Sequence, residues 1–224
     1  MEISMKITYQ DLKNNEAIST YIQKADESLT ALGYTEHSFA HVTKVATLAS
    51  DILLTLGYSE REAELAKMAG YLHDIGNVVN RVEHAQSGAV LAFRILDNMG
   101  ADPEDIATIV TAIGNHDEST AYPVNAVAAA LILADKTDVR YTRVRNQDFA
   151  QFDIHDRVNY AVTNADLIID NKEKKVVLDL TIDNHICPVL DYFEIFMERM
   201  LLCRKAAEKL GLYFKLIIND TCLL

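Results

Sequence analysis

"GYLHDIGNVVNRVEHAQSG", residues 70–88, sets an adjacent His73 and Asp74 after an apolar run and adds His84 eleven residues further on. An imidazole beside a carboxylate at a helix end suggests a metal site, and that reading depends on whether the rest of the chain supplies further donors. Working outward, His41 precedes the stretch, and His116 and Asp135 follow it. The successive gaps from His41 to His73, His84, His116 and Asp135 are 32, 11, 32 and 19 residues. A gap near 32 fits two helices and a short loop, so a helical hairpin would bring the second residue back beside the first. Six N and O donors on four or five packed helices can hold two metal ions, with one carboxylate shared between them.

The surrounding text supports helices. "HVTKVATLASDILLTLG" sets Val42, Val45, Leu48, Ala49, Ile52, Leu53 and Leu56 on one stripe at three- and four-residue steps. Gly57 stands where a helix C-cap belongs, and "SERE" from Ser59 to Glu62 has the form of a capping box. Asp102 with Pro103 reads as an N-cap and first helical residue, and "VNAVAAALILADKTDV" as an apolar helix buried on most sides.

Past Arg145 the texture changes. "ADLIIDNKEKKVVLDLTID" reads as a hairpin, "PVLDYFEIFMERMLLCRKAAEKLG" as an amphipathic helix and "LYFKLIIND" as a third strand, while Arg143 to Tyr160 is polar and fits no element clearly. The expected architecture is mainly α. An all-helical domain over residues 1–145 precedes a small α+β domain, β-β-α-β, over residues 146–224. That small unit carries more apolar surface than three short strands cover. It is therefore expected to pack on the helical part or on a second copy of the chain, with a homodimer favoured.

Bulk properties bound the function. The 224 residues, half of them apolar and 24% charged, suit a soluble globular protein. No apolar run is long enough to span a membrane, the start "MEISMKITYQDLKNNE" lacks a secretory signal's apolar stretch, and Cys187, Cys203 and Cys222 show no metal-type spacing; a cytoplasmic protein is expected. A net charge of −12 argues against a nucleic-acid polymer as partner but leaves room for a small phosphorylated substrate.

"HVTKVA", "LHDIG", "EHAQSG", "GNHDE" and "LADKTD" resemble, in order, the motifs of the HD superfamily of metal-dependent phosphohydrolases, across roughly Ser38 to Arg140. The resemblance implies a helical bundle with metal ligands at His41, His73, Asp74 and Asp135. It also matches His84 and His116 to the extra pair of dinuclear members, and makes Asp74 the carboxylate bridging the ions. The implied cofactor is two divalent transition-metal ions (Fe, Mn, Ni or Zn), and the implied reaction is hydrolysis of a phosphoester or phosphoanhydride of a small metabolite, with a nucleotide the favoured class, by a metal-activated water. The same ligand set suits a diiron oxygenase, and a non-catalytic nucleotide sensor is a third reading.

The chain departs from related patterns at two places. Position 77 is Asn77 where many relatives carry lysine, and His116 is followed by Asp117 rather than a second histidine, which speaks against cyclic dinucleotides. Lys44, Asn77, Arg140 and Arg143 are candidate substrate contacts, and Asp74 and Lys136 candidate catalytic residues. Lys136 and Arg140, four apart, could share a helix face turned to the pocket, and a solvated face paired with Asp138 or Asp148 is the equal alternative. His37 and Asp117 are candidates for a further ligand or a supporting role, although Ser38 could equally cap the helix and leave His37 outside it.

Overall fold

Residues 6–146 and 148–224 are described by the structure, a computed structural model. The first helices, α1 (Tyr9–Lys13) and α2 (Glu16–Ala31), lead into α3 (Phe39–Thr55), capped by Ser38. Helix α4 (Glu60–Leu72) opens on the Ser59–Glu62 capping box, and Gly57 takes the left-handed conformation that ends α3 (φ 84°). After α4 a single 3-10 turn (Ile75–Val78) precedes α5 (His84–Asn98). Helix α6 (Pro103–Gly114) starts at the Asp102 N-cap as the Asp-Pro pair predicts, and α7 (Ala126–Lys136) completes the bundle.

Helix α7 is the axis of the molecule: every residue from Val127 to Lys136 is buried. Helices α3, α4, α6 and α9 (Val189–Lys209) all pack against it. An "AVAAALILADK" sequence has no polar face to lose, so its only stable place is inside. Two glycines let the surrounding helices close in. A Cβ on Gly70 would lie 2.7 Å from the Ala46 Cα, so α4 crosses α3 at backbone contact. A Cβ on Gly76 would collide with the His84 carbonyl oxygen, so only glycine lets the turn after Asp74 sit under the start of α5. Those crossings carry His41, His73, Asp74 and His84 to one point.

The remainder is an α+β unit with more structure than the expected β-β-α-β. The polar stretch after Arg143 contains a further helix, α8 (Ile154–Ala161), capped by Asp153. A four-stranded sheet follows in the order β1 (Val162–Asp170), β2 (Lys175–Ile182), β3 (Tyr213–Ile218), β4 (Thr221–Cys222). The β1–β2 hairpin is antiparallel, β2–β3 is parallel with α9 as the crossover, and β3–β4 is a short antiparallel return. Strand β2 buries Val176, Leu178, Leu180 and Ile182 on one face, and α9 buries Tyr192, Phe196, Met200 and Cys203. This apolar surface is continuous with the bundle core, because α9 lies along α7. Burial of this kind stabilises at about 25 cal/mol per Å2 of apolar surface, so α9 is anchored in the bundle as well as in its own sheet.

Among the described residues, no helix is long and apolar enough to cross a membrane.

Candidate metal centre

Four histidines are oriented alike. His41 Nδ1 donates to the Asp138 carboxylate (2.8 Å), His73 Nδ1 to the Gly70 carbonyl (2.8 Å), His84 Nδ1 to the Arg81 carbonyl (3.1 Å) and His116 Nδ1 to the Ile113 carbonyl (2.6 Å). Each acceptor can only accept, so each ring carries its proton on Nδ1 and turns Nε2 inward. Three of these bonds go to backbone three residues earlier, at the end of α4, before α5 and at the end of α6. Local helix-end geometry therefore orients the rings, as second-partner hydrogen bonds do for metal-binding histidines.

The inward atoms form two adjoining sets. His41 Nε2 lies 3.6 Å from Asp74 Oδ2 and 3.3 Å from Asp135 Oδ1, and His73 Nε2 lies 3.3 Å and 3.6 Å from the same two oxygens. Donors held by one cation at bonds of about 2.1 Å stand roughly 3–3.5 Å apart, so this set fits a transition-metal ion. Asp74 turns its other oxygen, Oδ1, to His84 Nε2 (3.5 Å), which is 3.2 Å from His116 Nε2. His41 Nε2, His73 Nε2 and Asp74 Oδ2 are buried without a hydrogen-bond partner. Burying such polar atoms unsatisfied costs roughly 1–3 kcal/mol each, and two imidazole lone pairs facing at van der Waals distance repel. One kind of ligand removes both penalties, a cation.

Titration behaviour says the same. Burial disfavours a charged His73, yet the Asp74 and Asp135 carboxylates outweigh it and push the ring up to about 10. Burial alone would raise both carboxylates, but His73, His37 and His84 hold Asp74 well below the carboxylate range, and Lys136, His41 and His73 do the same for Asp135. His84 and His116 are depressed, chiefly by burial, and stay neutral and ready to donate lone pairs. Without a metal, the proton on His73 is the cation that the carboxylates require.

A stability prediction follows from that shift. His73 is raised above its ordinary 6.5, so the metal-free fold holds more protons than the unfolded chain between there and about 10. The stabilisation is fully present below about pH 6.5 and is lost as the pH rises towards 10. Chelator-treated protein should therefore show a falling Tm across this window, and His73→Asn should flatten the profile. Identical profiles for the two proteins would contradict the shift.

The remaining candidates separate. Asn77 is buried and donates to Asp74 Oδ1 (3.0 Å) and to the Asp74 carbonyl (2.9 Å), which clamps this carboxylate. Lys136 pairs with Asp135 Oδ2 (2.7 Å) and Glu118 Oε2 (3.1 Å). The shared helix face of Lys136 and Arg140 does not form: α7 ends at Lys136 and Arg140 is extended (φ −161°), pairing with Glu36 and Asp138. Lys44 also pairs with Asp138 (2.7 Å). Arg143 is buried and bonded through Nε and Nη1 to the Glu36 and Asp138 carbonyls. Ser38 caps α3 and leaves His37 just outside it, with its ring 5.5 Å from that of His41. Asp117 accepts from the Ser119 hydroxyl (2.6 Å).

Sequence reading missed four residues of this centre. Asp138 orients His41, Glu118 is held at about 2 against burial by Lys136 and Arg199, and Arg199 pairs with Glu118 (2.5 Å). Arg81 Nη1 lies 3.4 Å from His84 Nε2 and 4.0 Å from Asp74 Oδ1. Its position three residues before His84, inside the opening stretch, was the available signal.

Residues 38–140 match the HD domain family, and the helices that carry the His/Asp cluster are those of that segment. The HD domain over these residues, with its buried His/Asp cluster, supports a metal-dependent hydrolase. The chain is 27% identical over 202 residues to an uncharacterized protein of Methanocaldococcus jannaschii, a likeness covering 80% of this chain and 77% of the relative, so it reaches well beyond the HD segment. A solved structure described as a predicted HD superfamily hydrolase from an uncultured Thermotogales bacterium is 25% identical, with a TM-score of 0.44, covering 55% of this chain and 67% of that one.

Proposed function

We propose that the protein is a metal-dependent phosphohydrolase acting on a phosphoester or phosphoanhydride of a small metabolite, of which a nucleotide is the favoured class. The observation that carries the reading is the single carboxylate of Asp74 facing two donor sets, Oδ2 toward His41 and His73 and Oδ1 toward His84. That arrangement suits two divalent transition-metal ions: His41, His73, Asp74 and Asp135 would hold one, and Asp74, His84 and His116 the other. Bound there, such ions supply Lewis-acid activation of water and neutralise charge on a phosphoryl group.

The chain's own groups do the rest. Asn77 fixes Asp74, Asp138 fixes His41, and Lys136 holds Asp135 while remaining cationic, because Asp135 and Glu118 outweigh its burial. Arg81 brings a permanent positive charge to the open side of the cluster, where an anionic substrate must approach. Attack by an activated water needs no serine or cysteine nucleophile, so the His/Asp donors and the ions they would hold suffice for the reaction.

Protein purified without chelator should carry close to two transition-metal ions per chain. It should also release phosphate or a nucleotide from a panel of nucleoside phosphates and phosphodiesters in the absence of oxygen, with Mn2+ or Ni2+ added. A well-folded, metal-free preparation that gains no activity with any ion would overturn the reading.

A further inference from the structure

A cavity of about 420 Å3 lies beside the cluster. His37 and Arg81, which adjoin the metal-ligand side chains, line it together with Arg143, Phe196 and Arg199. Phe196 and Arg199 belong to α9, so the α+β unit builds part of the wall. Three arginines stand in this lining against two aspartates, Asp153 and Asp156, an excess of cations in a chain with net charge −12.

The three are not equivalent. Arg143 is committed to backbone carbonyls and holds the wall together. Arg81 lies against the metal-ligand side chains, its guanidinium 5.6 Å above the Tyr34 ring. Arg199 is fixed from two directions, by the bond from Nε to Glu118 and by the Phe196 ring 4.3 Å from its guanidinium carbon. Its two terminal nitrogens make no hydrogen bond to the described residues, and its side chain is 25% exposed. A planar cation held in place with an unused fork is preorganised for an oxyanion. Glu118 and Lys136 link it in turn to the ligand carboxylate of Asp135.

We propose that Arg199 is a specificity-determining residue that binds the anionic group next to the one held at the His/Asp cluster, so that α9 selects substrates with two or more adjacent phosphoryl groups. The inference rests on the metal-hydrolase reading. A single phosphoryl group reaches only the cluster and Arg81, whereas a longer chain of phosphoryl groups also reaches Arg199. One charge-assisted bond of this kind changes binding by about ten- to a hundredfold.

The test uses the full-length, Mn2+-loaded protein and calorimetric titration with orthophosphate, pyrophosphate and tripolyphosphate at a fixed free Mn2+ concentration. The wild type should bind tripolyphosphate at least tenfold more tightly than orthophosphate, and Arg199→Gln should reduce that ratio about tenfold or more, with Arg199→Lys partly restoring it. A purely structural role would weaken all three anions alike and leave the ratio unchanged. That outcome, or a wild type without preference, overturns the proposal. If Arg199→Gln does not fold because Glu118 is left unpaired, the double variant Arg199→Met with Glu118→Gln removes both charges and gives the same reading. Protein that retains no Mn2+ would instead overturn the functional reading beneath it.

Discussion

Replacing Asp74 with asparagine should reduce bound metal from about two ions per chain to well under one, and lower hydrolysis by at least about a thousandfold. Asparagine preserves volume, so the helices still close around it. It lacks the charge and the second anionic oxygen, and Asp74 uses both of its oxygens, one toward each donor set. A thousandfold loss corresponds to about 4 kcal/mol of barrier, at about 1.36 kcal/mol per factor of ten. The asparagine also removes the carboxylate that, with Asp135, keeps His73 cationic when no metal is bound. The variant should therefore fold, and its loss should lie in metal content. Metal analysis and a phosphate-release assay on the same preparation check this. More than a tenth of wild-type turnover, or unchanged metal content, would mean that Asp74 is not the shared ligand.

The donors were readable in the sequence for a physical reason. Each sits at or near a helix terminus whose signals are local: the Ser38 cap before His41, the end of α4 at His73, the start of α5 at His84, the end of α6 before His116. Helix lengths and short loops then fix where each side chain returns, so spacing alone carries the geometry. The bond from Asn77 to Asp74 has no sequence signal of its own, since its side chain turns back within a one-turn helix. Of the two readings of Arg140, the ion pair with Asp138 forms and the face shared with Lys136 does not, because α7 stops at Lys136 and a four-residue spacing has meaning only while the helix continues.

The supporting residues were invisible for the opposite reason. Glu118 meets Arg199 across 81 residues and Asp138 meets His41 across 97. Nothing local distinguishes either acid from a solvated surface carboxylate. Strand β4 has two residues, too short for any alternation. Helix α8 hid in a polar segment because its eight residues bury only Val158, Asn159 and Ala161. Fold and ligands are thus encoded near in sequence, while the tuning of the ligands is encoded by packing.

Asp138 provides the sharpest test of that division. It is fully buried and accepts from His41 Nδ1 (2.8 Å), Lys44 Nζ (2.7 Å) and Arg140 Nε (3.0 Å). Burial opposes its ionisation, but the bond from His41 and the nearby Arg143 hold it well below the carboxylate range. Removing it by Asp138→Ala strands three donors. Breaking a buried pair typically costs about 3–5 kcal/mol, but Lys44 and Arg140 are partly exposed and can regain water, which brings the expected loss to about 2–4 kcal/mol. For a chain of this length that is a drop in Tm of roughly 5–15 °C. His41 has no such escape, because its ring is wholly buried. Without the Asp138 acceptor its Nδ1 proton has no partner, the opposite tautomer becomes competitive, and the lone pair on Nε2 is no longer guaranteed. Metal affinity should fall about ten- to a hundredfold. Asp138→Asn keeps the volume and can still accept from one donor, so it should recover most of the Tm and little of the affinity. Thermal unfolding with chelator present measures the first effect and Mn2+ titration the second. An alanine variant within about 2 °C of wild type, binding Mn2+ as tightly, would show that the carboxylate merely solvates Lys44 and Arg140 and that His41 is held by packing alone.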